Sequence, residues 1–172
     1  MPTRVIVDAN VLFSRTLRDW LSLLYLNNDT LFSVHWTEDI LAETISRLRR
    51  AHLDWSGGLI TRISDRMRAT FEGGRVDDFA SVGSSYRGTD PNDQHVHDAA
   101  IACGAHILLT SDRGFTGPGV DRDDLPYEIY RPDDFFVLVD DSAPEVASAA
   151  TAEQLNYWFG RHGDVDLSLI HI

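Results

Sequence analysis

Lysine is absent from this 172-residue chain, and all 15 basic residues are arginine. The bias fits codon usage in a GC-rich genome, and its chemical consequence holds whatever its origin. No amine side chain is available for P-loop phosphate binding, for Schiff-base catalysis or for a lysine-dependent nuclease site. Cysteine is nearly absent too, and the lone Cys103 excludes a disulfide framework and a cysteine-based zinc site. Long apolar runs are also missing. The longest uncharged stretch, Ala99 to Ser111, has thirteen residues and is interrupted by Gly104 and His106, too short to span a bilayer. Only three apolar residues separate Arg4 from Asp8, so no signal-peptide core is expected and the cytoplasm is the default compartment.

The composition, 43% apolar and 24% charged, suits one α/β domain or one domain with a short appendage. Fifteen basic residues against 27 acidic give a net charge of −12. That balance argues against a general nucleic-acid coat, because phosphate affinity comes from neutralising cations. It leaves room for an enzyme whose acids hold metals beside a phosphate.

Along the chain, Val5-Ile6-Val7 is a β-branched run ending in Asp8, as in a buried parallel strand. Leu17, Trp20, Leu21 and Leu24 have helical spacing, which stops near Asn27-Asn28-Asp29. Phe32, Val34 and Trp36 alternate as a second strand, and Thr37 is placed to cap a helix whose inward stripe is Ile40, Leu41, Thr44, Ile45 and Leu48. Gly57-Gly58 breaks the pattern, and another helix is expected to reach about Thr70. Residues 73–90 are rich in Gly, Ser and Asp and read as loop. Asp90-Pro91 opens a helix that Gly104 closes. Ile107-Leu108-Leu109 is a buried strand, Tyr127–Tyr130 a last short one, and Pro132 starts a helix through Leu138. Pro144 begins a helical tail containing Ala147 to Trp158. The alternation predicts an α/β fold with a central, mainly parallel sheet.

In such sheets ligands lie at the carboxyl ends of the strands. Two predicted strands end there in carboxylates, Asp8 and Asp112. Asp93 lies one turn into the helix before the second of these strands, and Glu43 lies on the helix after β-run 32–36. Converging carboxylates repel one another unless a cation sits among them, and Mg²⁺ or Mn²⁺ are the economical occupants. Each acid also has a structural reading. Asp8 and Asp112 suit caps or turns, Asp93 complements a helix dipole, and Glu43 resembles a solvated surface residue. Asp90 is assigned as a helix cap.

Val5-Ile6-Val7-Asp8-Ala9-Asn10-Val11-Leu12 resembles the opening motif of PIN-domain nucleases. Asp90-Pro91-Asn92-Asp93-Gln94-His95-Val96, followed by Ala99-Ala100-Ile101-Ala102, resembles their second acidic segment, and Leu109-Thr110-Ser111-Asp112-Arg113-Gly114-Phe115 their closing motif. The three occur in the family's order over roughly residues 4–140. The nearest subgroup is the VapC-like toxins that carry an extra C-terminal helical segment.

The resemblance implies a PIN-like three-layer α/β/α domain over residues 1–140 and a helical extension over 141–172. It also implies a Mg²⁺- or Mn²⁺-dependent endoribonuclease that drives in-line attack of an activated water on an RNA phosphodiester. Asp8 and Asp93 would hold the principal metal, while Glu43 and Asp112 would support a second ion or orient the water. Asn10, with Thr110 or Ser111, would fix carboxylate orientation. The implied partners are an RNA substrate, an antitoxin protein and a second copy in a homodimer. An RNA-processing nuclease without antitoxin and a catalytically silent RNA- or protein-binding module are the alternatives. Three departures stand out. Gly114 occupies a place where many relatives carry another acid. Asp98 stands where an apolar or small residue is expected and is assigned to the surface. Glu43 is assigned from its place on the helix after the second strand, behind Ile40-Leu41-Ala42, because the family motif there is loose.

Between Thr44 and Arg75, seven arginines, including Arg47, Arg49 and Arg50, face only three acids, so this stretch is the candidate RNA-facing rim, with a solvated helical face as the plain alternative. The seven histidines share no spacing that suggests zinc; His95 and His97, two apart, point to different helix faces. Trp20, Trp36, Trp55 and Trp158 are expected to be core or interface anchors, and Cys103 to be buried packing.

Overall fold

The computed structural model describes residues 1–77, 79–80, 86, 88–115 and 121–162, with the side chains of 161 and 162 excepted. The last ten residues and parts of the 73–90 segment lie outside these. Among the described residues four strands form one sheet: β1 (Thr3–Val7), β2 (Phe32–His35), β3 (Ile107–Leu109) and β4 (Glu128–Tyr130). Every pairing is parallel and the order is β2-β1-β3-β4. Within the described residues seven α-helices connect and cover it: α1 (Ala9–Phe13), α2 (Arg15–Asn27), α3 (Glu38–Ala51), α4 (Gly57–Thr70), α5 (Gln94–Ala102), α6 (Pro132–Ser142) and α7 (Pro144–His162). The fold is α/β, consistent with three α/β/α layers, as the alternation of patterns predicts. Among the described residues, no helix is long and apolar enough to cross a membrane.

The central strands are enclosed on both faces. Val5, Ile6 and Val7 are 0% exposed, which explains why β1 reads as a continuous apolar run without alternation. At about 1.5–3 kcal/mol per buried branched side chain, such triplets anchor the sheet. Thr37 caps α3 by accepting from Ile40 N–H at 3.1 Å, and Ser56 caps α4 by accepting from Leu59 N–H at 3.2 Å. Gly57-Gly58 are therefore the first residues of α4 and not a gap between helices. Gly104 ends α5 at φ +59°, a backbone conformation that suits glycine.

Two features were not expected. The five-residue α1 follows Asp8 directly. After α4, Arg75 pairs with Trp36 in an isolated parallel bridge, and Gly74 lies so close to β2 that a Cβ there would sit 1.7 Å from Val34 O. Helix α7 starts two residues after α6 and packs on α2 and α6, with Val146 and Ala150 buried in the main core. Tyr157 accepts from Arg15 Nη2 at 3.2 Å, and Glu153 accepts from Asn27 Nδ2 at 3.0 Å.

Asp98 requires a correction, since it is buried (3% exposed) and not on the surface. Residues 96–100 of α5 are all buried, so the helix has no solvent-facing side over that stretch. Cys103 is only half-buried, with its Sγ 3.6 Å from Ala100 O. Of the tryptophans, Trp36 is in the core with its Nε1 donating to Phe71 O at 2.8 Å, and Trp158 is 39% exposed.

Candidate metal centre

The sheet order reverses between β1 and β3, with β2 outside one and β4 outside the other. That reversal is the switch point at which open parallel sheets leave a crevice beyond their carboxyl ends. Val7 pairs with Leu109, so the next residues, Asp8 and Thr110, arrive side by side. Asp8 N–H donates to Leu109 O at 3.0 Å, which carries the ladder one step past the strand.

Asp8 is 3% exposed and its carboxylate is tightly held. Its Oδ2 accepts from the Thr110 hydroxyl at 2.6 Å and from Asn10 Nδ2 at 2.6 Å. Thr110 Oγ1 in turn accepts from Asn10 Nδ2 at 3.0 Å and from Asp112 N–H at 3.0 Å. One hydroxyl thereby uses its single donor and both acceptor positions. Asn10 Oδ1 accepts from Ser111 N–H at 2.9 Å. Of the two residues expected to orient the carboxylate beside Asn10, Thr110 does so with its side chain, while Ser111 contributes its backbone. Burial pushes the Asp8 carboxyl up, the Thr110 bond lowers it, and the charge of Glu43 raises it again.

Asp90 caps its helix as expected, accepting from Asn92 N–H at 2.9 Å. Pro91–Asp93 then make one 3-10 turn before α5. Asp93, at its end, has a buried Oδ2 with no hydrogen-bond partner among the described residues. Its carboxyl is pushed up to about 7, first by burial and then by the charges of Asp8, Asp90, Asp112 and Glu43. The four acids selected from sequence therefore share one electrostatic neighbourhood. Asp112 is exposed at its edge, in a turn where its Oδ1 accepts from Gly114 N–H at 2.7 Å. A Cβ at Gly114 would lie 3.2 Å from Thr89 Oγ1 and 3.4 Å from Asp112 Oδ1, a tight fit against the side chains of this turn.

Glu43 reaches the site from α3, half-buried, paired with Arg47 at 2.6 Å and with His95 Nε2 3.4 Å from its other oxygen. Arg47 is thus engaged with an acid of the site, whereas Arg49 and Arg50 lie exposed at the end of α3. His95 and Tyr86 were not expected here. Tyr86 donates to Asp90 O at 2.9 Å, and its hydroxyl is pushed well up by burial and by Asp93, Asp90, Asp112 and Asp8. The histidine had one legible signal, its place two residues after Asp93; Tyr86 had none. His97 Nδ1 stands 2.6 Å from the buried Tyr127 hydroxyl, and its ring lies 5.7 Å from that of Tyr86.

The donor set is hard oxygen, the type Mg²⁺ and Mn²⁺ take, and an orphaned buried carboxylate oxygen lies within it. Among the described residues, no three His, Cys, Asp or Glu side chains are gathered closely enough to form a metal-binding group. The acids thus fit a divalent cation in chemistry and neighbourhood, without being drawn to ligand distance. No family model matches the chain, and no curated protein does.

Proposed function

We propose that this protein is a PIN-type, Mg²⁺- or Mn²⁺-dependent endoribonuclease and the toxin of a toxin–antitoxin pair. The observation that carries the nuclease reading is the fastening of Asp8 by Thr110 and Asn10 across the β1–β3 switch point, beside the partnerless Oδ2 of Asp93. A buried carboxylate braced by two donors while its neighbour is left unpaired suits a site built to receive a cation. The three motifs that resemble the family contribute the residues of this arrangement. The toxin reading rests on the resemblance to the VapC-like subgroup.

Asp8 and Asp93 would hold the principal ion, with Glu43 and Asp112 supporting a second ion or the attacking water. When bound, the metal supplies water activation and charge stabilisation at the phosphoryl group. The chain's own residues do the positioning. Thr110 and Asn10 fix Asp8 Oδ2, and Arg47 restrains Glu43 while offsetting part of the acidic field. Arg49 and Arg50 give the RNA backbone a cationic approach on a protein of net charge −12.

The test is Mn²⁺-dependent cleavage of total cellular RNA, wild type beside Asp93→Asn, which keeps shape and removes charge. Discrete products that vanish with EDTA and with the variant are expected. No cleavage by the folded, partner-free wild type would overturn the nuclease reading. A small gene directly upstream that encodes a DNA-binding protein is the genomic arrangement the toxin reading expects.

A further inference from the structure

Of the four tryptophans expected as core or interface anchors, Trp55 stands outside the core. It is partly exposed and, among the described residues, belongs neither to the apolar interior nor to the side chains packed on it. Its indole lies instead on the ring of His52, with centroids 3.8 Å apart and planes 5° from parallel. We infer that this pair, in the turn between α3 and α4, is a base-stacking platform for unpaired RNA, and that Arg49, Arg50 and Arg62 take the phosphates beside it. The inference deepens the ribonuclease reading by giving its substrate class as single-stranded RNA, and it rests on that reading for the ligand being RNA.

Local bonds hold the two rings in place before any ligand arrives. His52 N–H ends α3 by donating to Leu48 O at 3.0 Å, and Trp55 N–H donates to His52 O at 3.2 Å, closing the turn. A preformed flat surface needs little further ordering when a base lands on it. Every nucleobase has a π-face, so such a surface accepts any base that is free of its neighbours. In a duplex those faces are covered by adjacent bases, and the platform has nothing to stack on. Leu53, 89% exposed in the same turn, adds apolar surface.

The charge around the turn fits a polyanion, on a protein whose net charge is −12. From Arg49 to Arg62 the chain has three arginines against one acid, Asp54. All three arginines are exposed, and none makes an ion pair among the described residues. Arg50 Nη2 donates to the Ser46 hydroxyl at 2.9 Å, a neutral partner that leaves its charge unmatched. Arg62 turns back towards the start of α4, where a Cβ on Gly58 would lie 3.7 Å from its Nη1. These positions also form a path. Glu43, Arg47 and Arg50 fall at i, i+4 and i+7 on one face of α3, and the Glu43–Arg47 pair at 2.6 Å sets the start of that face at the acid centre. His52 lies nine residues beyond Glu43, about 13 Å along the helix axis, so a strand whose scissile phosphate sits at the acids reaches the rings by way of Arg50. An acidic peptide would match the arginines without bringing a flat ring to the platform, whereas a nucleotide carries both in one unit.

The experiment measures binding to the full chain by fluorescence anisotropy in EDTA, so neither metal nor cleavage is needed. The probes are an unstructured RNA of about 12 nucleotides, an abasic strand with the same phosphates, and a duplex of the same length. Trp55→Ala should weaken binding of the unstructured RNA at least about fivefold, the loss of one stacked base, and Trp55→Phe should keep most of the affinity. The abasic strand and the duplex should bind wild type and Trp55→Ala alike. In the ¹⁵N-labelled wild-type chain the Trp55 indole N–H signal should move with the unstructured RNA and far less with the abasic strand, a readout that does not depend on the folding of a variant. Unchanged affinity of Trp55→Ala for the unstructured RNA, or an equal loss for the abasic strand, overturns the platform. No RNA binding by wild type also overturns it and leaves the turn to a protein partner. Trp55-dependent binding by a protein that cleaves no RNA would sustain the platform and refute the nuclease reading. Cleavage with Trp55-independent binding would do the reverse.

Discussion

Replacing Asp93 by Asn should stabilise the metal-free protein, and by more at high pH than at low. Asp93 titrates near 3.8 in an unfolded chain and at about 7 in the folded one, because burial and the charges of Asp8, Asp90, Asp112 and Glu43 oppose its ionisation. Between those values the folded state holds a proton that the unfolded state has lost. Stability from this group is therefore fully present below 3.8 and is lost as the pH rises through about 7. At 1.36 kcal/mol per pH unit the whole effect is about 4 kcal/mol, of which about 2–3 kcal/mol accumulates between pH 5 and pH 8. Asp93 is only partly buried, so solvent screening reduces that increment to about 1–1.5 kcal/mol. For a domain of this length the increment corresponds to roughly 3–5 °C in Tm. The assay is thermal unfolding of both proteins in EDTA at pH 5 and pH 8. Comparing the gap between the proteins at the two pH values cancels the shape cost of the substitution and the titration of groups common to both. A gap that is equal at pH 5 and pH 8 would refute the argument that Asp93 carries an unfavourable charge. Adding Mn²⁺ at pH 8 should then raise the Tm of wild type and leave the variant nearly unmoved.

Thr110→Val keeps the shape of a fully buried side chain but removes the bond to Asp8 Oδ2 and the acceptor for Asn10 and Asp112 N–H, so urea unfolding should show a loss of about 1–3 kcal/mol; an unchanged midpoint counts against the bracing role. Gly74→Ala places a Cβ 1.7 Å from Val34 O, a backbone atom that cannot move aside, and should lower stability by about 3 kcal/mol or enough to prevent folding, as read by circular dichroism melts. A Gly74→Ala protein as stable as wild type would show that the contact is dispensable. Charge reversal at Arg49 and Arg50 should weaken binding of single-stranded RNA and flatten its salt dependence by about 0.7 per lost phosphate contact, measured by fluorescence anisotropy at several salt concentrations. Unchanged affinity would move the RNA-facing rim elsewhere.

Local chemistry was legible where a residue's role is set by its neighbours in sequence. Thr37 caps α3, Asp90 caps the turn before α5, and Gly104 ends that helix, each as its position in the pattern predicts. The enclosed strands β1 and β3 show themselves as unbroken apolar runs. What stayed hidden depends on packing. Asp98 reads as a surface residue because, five positions after Asp93, it falls on another side of the helix, and only the surroundings of residues 96–100 place it inside. Helix α1 is five residues long, shorter than any helical period that could be counted with assurance. Gly74 looks like one more loop glycine until Val34 is brought beneath it. The approach of His95 to Glu43 joins α5 to α3 and has no trace in the spacing of either helix.

The same distinction explains why the acid site is a property of the sheet and not of any one motif. Asp8 and Asn10 lie two residues apart, but the hydroxyl that binds both comes from Thr110, one hundred residues later. Nothing local fixes that meeting. It follows from the parallel pairing of Val7 with Leu109, which makes the residue after each strand emerge at the same level. Burial then gives the arrangement its consequence. In water a carboxylate with two donors is ordinary, whereas at 3% exposure Asp8 is charged only to the extent that Thr110, Asn10 and a nearby cation sustain it. Asp93 holds its Oδ2 buried and, among the described residues, without a donor, so that oxygen has only the last of these to draw on. The difference between the two acids is therefore functional as well as structural. One is a fixed, braced anchor, and on the proposed reading the other is a group whose ionisation near pH 7 a bound cation would favour.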